Sequence, residues 1–342
     1  MTGCICCKEE IFLYKLIRNL FQFMKKKSVV VIGGGNGSSI TIRALKDNKD
    51  VFDISAIISM TDSGGSSGRL RTELDALPPG DILRAVLSMS EFYDYENVLR
   101  PLFHRIRFEG VGKLDGHNLG NLFLTLSAEY SGDFILGVRA LEQAVGAVGK
   151  VFPSTTDRAD LAAELENGEK IFTEAAIDRP KYDRSIKIKK LSLTAPAKIY
   201  PEAAKAIEEA DYVIFSAGSL YCSVIATVLP EGFSEVFVNS KAKLVFVAGN
   251  KYELDGETGP TRMCDCLWTL EEYLPKKIDK MIFNAHELTG KQKEYYAKKR
   301  WGVLDYNPEL VRKTTVVGEN FERETGGLDP EVLGKIFLRE LV

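Results

Sequence analysis

Short apolar runs recur along the chain, and each breaks into glycine, serine or asparagine. Residues 29–32 are the first such run, β-branched throughout, as in a strand buried on both faces. It ends in Gly33-Gly34-Gly35-Asn36-Gly37-Ser38-Ser39, and a helical pattern follows through Ala44 and Leu45. Residues 54–60 form a second buried strand, running into Thr61-Asp62-Ser63-Gly64-Gly65-Ser66-Ser67-Gly68-Arg69. Pro78-Pro79-Gly80-Asp81 then leads into a helix with apolar Ile82, Leu83, Val86, Leu87 and Met89. Asp81 precedes that periodic run and is expected as its N-cap. Residues 118–130 and 134–148 carry apolar positions at helical spacing, and 185–194 alternate apolar and basic residues like a partly exposed strand. A helix over 201–210 opens on Pro201, a favoured first-turn residue. Residues 212–215, 244–247 and 278–283 read as further buried strands. They end in Ser216-Ala217-Gly218-Ser219-Leu220-Tyr221, in Gly249-Asn250 and in Asn284.

Buried strands alternating with helices imply an α/β protein with a doubly wound, mostly parallel sheet. In such sheets the ligand sits beyond the carboxyl ends of the strands. Every glycine- and serine-rich loop named above falls at such an end. No internal repeat, low-complexity tract or linker interrupts the chain after residue 25, so 25–342 read as a single domain. Residues 1–24 read as a leader outside the fold. Its apolar stretch, 11–24, is interrupted by Lys15 and Arg18 and is too short and too charged to span a bilayer. It has no small-residue cleavage site for a signal peptide. An amphipathic surface helix is the alternative. Met24 is a natural start, and a chain beginning there is expected to fold and bind ligand as the full chain does.

Composition narrows the class. The 342 residues are 45% apolar and 27% charged, with a net charge of −3 and no long basic tract in the body of the chain. Nucleic acid is therefore not the expected partner, because phosphate-backbone binding needs a concentrated basic face. Cys4, Cys6 and Cys7 crowd the N-terminus, while Cys222, Cys264 and Cys266 lie in the body. The body holds no C-x-x-C pair, and Cys264-x-Cys266 is an unusual spacing for zinc. Free thiols in a reducing, cytoplasmic compartment are expected, with no metal site and no stable membrane insertion.

The loops carry the candidate chemistry. Gly33, Gly34, Gly35, Asn36, Gly37 and Ser38 let the backbone approach a phosphate and present N–H groups from a helix N-terminus. A tight structural turn is the plainer reading. Aligned as G-x-G-x-x-G, the run has Ser38 at the third glycine, and no Lys-Ser/Thr follows to make a P-loop. Asp62 ends the second strand and suits a ribose hydroxyl, a divalent cation or a loop cap. Ser63, Gly64, Gly65, Ser66, Ser67 and Arg69 follow it as a second polar loop, which an ordinary NAD site lacks. Two adjacent loops suggest an extended anionic ligand. Asp81 and Arg84 read either as ligand contacts or as a cap and a surface arginine. Asn118 and Asn121, three apart, are expected on one helix face beside His117, itself either an acid–base or a structural residue. Gly218, Ser219, Leu220, Tyr221, Asn250 and Asn284 are the candidates from the later strand ends, expected to converge on the cleft of Gly35. No Ser-His-Asp order and no paired-carboxylate motif is legible.

Taken together, VVVIGGGNGSS, TDSGGSSGRLR, LPPGDILRAV, GHNLGNL, SAGSLYCSVIATVL and DGETG resemble the YvcK/CofD-like family, in order, over residues 28–334. The nearer branch is the YvcK branch, often called the gluconeogenesis factor. The resemblance implies a Rossmann-like sheet with additional helices. It implies a UDP-sugar ligand, UDP-N-acetylglucosamine first, in a regulator that balances central carbon flow with cell-wall synthesis and cell shape through unidentified protein partners. No cofactor is then required. The CofD branch implies the alternative, a transferase taking a phospholactyl group from a nucleotide-activated donor with magnesium. Two departures bear on the choice. The family commonly has two successive aspartates before its Gly-Gly-Ser loop, where this chain has Asp62 and Ser63. It often has Arg-His before an Asp-Pro, where this chain has Gly327-Leu328 before Asp329-Pro330.

Overall fold

A computed structural model describes residues 25–92 and 94–342; the leader over 1–24, with Cys4, Cys6, Cys7 and the 11–24 stretch, lies outside the described residues. The first half runs β1 (Lys27–Gly33), α1 (Gly35–Lys46), β2 (Phe52–Ile58), α2 (Gly65–Leu74), α3 (Gly80–Ser88), α4 (Leu119–Ser131), α5 (Phe134–Ala144) and β3 (Lys150–Pro153). A small antiparallel sheet follows, β4 (Leu161–Leu165), β5 (Lys170–Phe172) and β6 (Ile188–Leu193), with the short α6 (Glu174–Asp178) between β5 and β6. Next come α7 (Pro201–Glu208), β7 (Tyr212–Phe215), a π-helical turn Leu220–Ile225 that continues into α8 (Ala226–Val228), α9 (Phe233–Asn239), β8 (Lys243–Ala248) and β9 (Lys251–Glu253). The chain closes with α10 (Met263–Glu271), β10 (Lys280–Asn284), α11 (Gly290–Lys299), β11 (Trp301–Val303), β12 (Thr315–Glu319) and α12 (Pro330–Leu341).

Seven strands form one sheet in the order β12-β10-β8-β7-β1-β2-β3, and every neighbouring pair is parallel. The chain builds outward from β1 to β3, then crosses back to β7 and builds outward the other way. That is the doubly wound, Rossmann-like order, with its reversal between β1 and β7. The strands are apolar throughout because both faces are covered. Val29, Val31, Ile54, Ala56, Ile214, Val245 and Ile282 face a core closed by α1, α3, α4, α5 and α12. Val30, Ile32, Ile57, Val213, Phe215, Leu244 and Phe283 face the opposite core, closed by α7, α8, α9, α10 and the small sheet. Among the described residues no helix is long and apolar enough to cross a membrane.

Some sequence expectations need correction. Asp81 does not cap α3: the N-cap position is Pro79, and Asp81 lies inside the first turn with its carboxylate turned toward α1. Asn118 and Asn121 do not share a helix face; Asn118 is itself the N-cap of α4, accepting from the Asn121 N–H at 2.7 Å. The helix expected to reach residue 148 stops at Ala144 and turns through Gly146, whose φ is +61°. β3 and β12 were not expected as strands. They are the two edges of the sheet; β12 is nowhere fully buried and β3 is only four residues long, so neither prints a long apolar run.

One packing contact fixes where the strand ends meet. A Cβ on Gly37 would fall inside the carbonyl group of Ala217, so α1 and the chain leaving β7 touch backbone to backbone. Gly37→Ala is therefore expected to destabilise the fold by about 3 kcal/mol or more. Gly290→Ala, where a Cβ meets only open space, is expected to cost nothing comparable. Urea denaturation of both variants checks this.

Candidate functional site

The reversal between β1 and β7 brings three helix N-termini to one end of the sheet. Gly33–Ser38 leads from β1 into α1, and Gly218 stands against it: a Cβ on Gly218 would lie 3.9 Å from both the Gly34 carbonyl oxygen and the Gly37 Cα. Gly35 has φ +61°, a conformation that favours glycine, and the Arg84 guanidinium lies over it. From β2 the chain enters α2 through Gly64 and Gly65. The backbone N–H groups of Asn36 and Gly37 in α1, and of Gly65, Ser66 and Ser67 in α2, have no acceptor among the described residues. Unpaired N–H groups at a helix start are ready donors for an anion.

The third N-terminus is filled from within. The Glu257 carboxylate accepts from the N–H groups of Leu220 at 2.7 Å, Tyr221 at 3.2 Å and Cys222 at 3.0 Å, and from the Ser219 hydroxyl. The candidates Ser219, Leu220 and Tyr221 thus hold a carboxylate of the chain's own. Gly218 remains beside the first loop.

Carboxylates gather between the first two loops. Asp81 accepts from the Gly35 N–H at 2.9 Å and from Arg84 Nη1 at 3.1 Å, joining α3 to the start of α1. Asp62 accepts from the Gly64 N–H at 2.9 Å. Glu174 arrives from α6 and accepts from the Ser63 N–H at 3.3 Å, while the Ser63 hydroxyl accepts from the Ala175 N–H. Burial, then the Asp81 carboxylate, raises the Asp62 carboxyl above its ordinary range. Burial, then the charges of Asp62 and Asp178, pushes Glu174 up to about 8. Glu174 therefore carries a proton near neutrality unless a cation stands beside it. These hard oxygen donors suit magnesium. The oxygens of Glu174 and Asp178 and the Cys222 sulfur also lie within 4.8 Å of one another, but burial holds the Cys222 thiol well above its usual range.

A polar cluster ties α2 to α4. Ser66 Oγ lies 2.8 Å from His117 Nδ1 and accepts from Asn121 Nδ2 at 2.9 Å. Burial, then Arg69, lowers His117 below the ordinary imidazole range. Ser67 Oγ accepts from the Gly80 N–H at 3.2 Å, pinning the second loop to α3, and Ser38 Oγ donates to the Gly35 carbonyl. Arg69 donates to the Asp115 carbonyl, and Arg84 also meets His104. Asn250 and Asn284 bond to one another and to neighbouring elements. Asn284 Nδ2 donates to Glu322 at 2.7 Å and to Asn250 Oδ1 at 3.2 Å, and Tyr296 donates to Asn250. This network fastens the chain around 320–322 to the ends of β8 and β10, and none of its bonds reaches the loops at the reversal.

Sequence reasoning missed Glu174 and Glu257. Glu257 lies in the DGETG run, which carried part of the family resemblance without being singled out as a site residue; Glu174 left no signal.

The family description 2-phospho-L-lactate transferase CofD matches residues 29–320. A putative gluconeogenesis factor of Thermotoga maritima is 35% identical over 293 residues, covering 86% of this chain and 90% of that protein. The gluconeogenesis factor of Bacillus subtilis is 34% identical over 291 residues, covering 84% and 88%. A crystal structure of a Bacillus halodurans protein superposes with a TM-score of 0.83 at 31% identity, covering 92% of this chain and all of that one.

The raised Glu174 carboxyl has a consequence for stability. An acid with a raised folded-state pKa ionises more readily unfolded, so its contribution to stability falls as pH climbs from 4.5 toward 8. Glu174→Gln is expected to stabilise the protein relative to the parent at pH 8.5 and to give no such gain at pH 4.5. Urea denaturation at both pH values, in the presence of a chelator, measures the difference.

Proposed function

The chain belongs to the 2-phospho-L-lactate transferase CofD family, on its gluconeogenesis-factor branch, and from that membership and the site's geometry we propose that it binds a UDP-sugar as a regulatory ligand. UDP-N-acetylglucosamine is the first candidate. The observation that carries the reading is the pair of unpaired helix N-termini, α1 and α2, at one end of a doubly wound sheet. Each offers N–H donors and the positive end of a helix dipole, which suits the two phosphates of a diphosphate bridge. The nearby acids do not forbid this. Asp81 is paired with Arg84, and Glu174 holds its proton near neutrality, which leaves Asp62 free to accept from a ribose hydroxyl. Bound sugar nucleotide then reports cell-wall precursor supply to protein partners in the cytoplasm, linking carbon metabolism with cell-wall synthesis and cell shape.

One observation favours the second reading, a CofD-like transferase using a nucleotide-activated donor. Ser63 replaces a family aspartate, yet Glu174 delivers a carboxylate to the Ser63 N–H from elsewhere in the chain. Asp62, Asp81 and Glu174 are the residues that would hold magnesium. The ion would supply charge neutralisation at a phosphoryl group.

Calorimetry with UDP-N-acetylglucosamine, UDP and NAD separates the two. UDP-sugar binding nearly unchanged by chelator, without donor turnover, is expected. Gly35→Val is expected to abolish it in a folded protein, and Asp62→Asn to weaken it by roughly 1 kcal/mol, one hydrogen bond's worth. A strict magnesium requirement with steady consumption of a nucleotide donor would establish the transferase instead.

A further inference from the structure

Ser66 stands at a strand-to-helix turn. Gly64-Gly65-Ser66-Ser67-Gly68 follows β2 and opens α2, with Gly65 at φ +48°. This is the G-x-S-x-G spacing of nucleophilic serines, here with Ser66 in the first turn of α2 and its backbone unstrained. Here Gly68 is required for space, since a Cβ on it would run into the Ser63 backbone, while Gly65 faces open space and is favoured by its positive φ.

The surroundings single out Ser66 among the serines of the loop. Ser63 Oγ and Ser67 Oγ each accept from a backbone N–H, and the Ser67 hydroxyl is also bonded to the Asp62 carboxylate, but neither meets an imidazole. Ser66 Oγ has two partners, Asn121 Nδ2 and His117 Nδ1. The amide nitrogen only donates, so the hydroxyl proton has one acceptor, Nδ1, and the imidazole keeps its own proton on Nε2. Ser66 and His117 are 8% and 2% exposed, so the pair is shielded from bulk water. A second observation points to a ligand. Asn121 is 3% exposed, and its Oδ1, beside Ser66, is buried without a partner, an acceptor awaiting a donor. The N–H groups of Ser66 and Ser67, without an acceptor among the described residues, are available to developing negative charge.

We propose that Ser66 is a nucleophile activated by His117 toward a phosphoryl electrophile. The Oγ–P bond forms and the bond from phosphorus to its leaving group breaks, the leaving group departing with the electron pair. The hydroxyl proton passes to His117 Nδ1, and the imidazolium so formed balances the charge of the departing anion. A phosphoryl rather than a carboxylic ester is the substrate class, because free helix N–H groups and the Arg69 and Arg84 guanidiniums all border these loops. The inference does not rest on the UDP-sugar reading; a chain that binds no nucleotide sugar still carries the serine.

The test uses the full chain and an alkyl fluorophosphonate, whose P–F bond breaks as the serine adds, with the labelled residue located by peptide mass spectrometry. Ser66 is expected to label about 100-fold faster than Ser63 or Ser67, or than the same peptide in urea, the size of a general-base effect. His117→Gln is expected to slow labelling about 100-fold, and Ser66→Ala to remove it. The groups facing His117 are Arg69 and Glu73 of α2 and Arg107 before α4. Their balance with burial places the rise of the labelling rate with pH below 6.5, with a plateau above. No labelling of Ser66, labelling no faster than Ser63, or an unchanged rate in His117→Gln would overturn the proposal. Should that variant fail to fold, a rate that does not titrate below 6.5 does the same.

Discussion

The contact between Gly37 and the Ala217–Gly218 backbone is the constraint on which the rest of the site depends. Two strand ends can face one ligand only if the helices and loops that follow them approach closely. Here the approach is at backbone distance, and no side chain fits between. It sets the start of α1 against the chain leaving β7, at the place where the order of the sheet reverses. β2 lies on the other side of β1, so its loop and α2 complete the same rim.

Charge then decides what that rim can hold. Of three helix starts, two keep free N–H groups and the third is occupied by Glu257. An internal carboxylate is an economical way to satisfy donors that would otherwise stand unpaired. The acids beneath the first two loops are managed differently. Asp81 is bonded to Gly35 and Arg84, and Glu174 stays protonated near neutrality because it is buried beside Asp62. The same set tolerates an anion when Glu174 is neutral and favours a divalent cation when it is ionised. Metal-independent binding and metal-assisted transfer are thus close neighbours in chemistry.

Much of this was legible in the sequence, for identifiable reasons. β1, β2, β7, β8 and β10 are covered on both faces, and burial prints itself as an unbroken apolar run. The glycine-rich loops at the strand ends were legible because glycine marks where backbone must approach backbone. Of the small sheet, β6 was legible in the alternating 185–194 stretch, while β4, β5 and the edge strands β3 and β12 are too short to print a clear pattern. Asp81 was misplaced because an acid before an apolar run looks like a cap. Glu174 and Glu257 were invisible because their partners, Ser63 and Leu220, lie 111 and 37 residues away, and only folding brings them together.

The central claim is that the free N–H groups of α1 and α2 are the phosphate donors of the site. Amide NMR of the ¹⁵N-labelled chain during titration with UDP-N-acetylglucosamine addresses it most directly. The account predicts that Asn36, Gly37, Gly65, Ser66 and Ser67 shift most, while Leu220, Tyr221 and Cys222, held by Glu257, shift little. A saturable titration that moves other amides and leaves those five in place would contradict it.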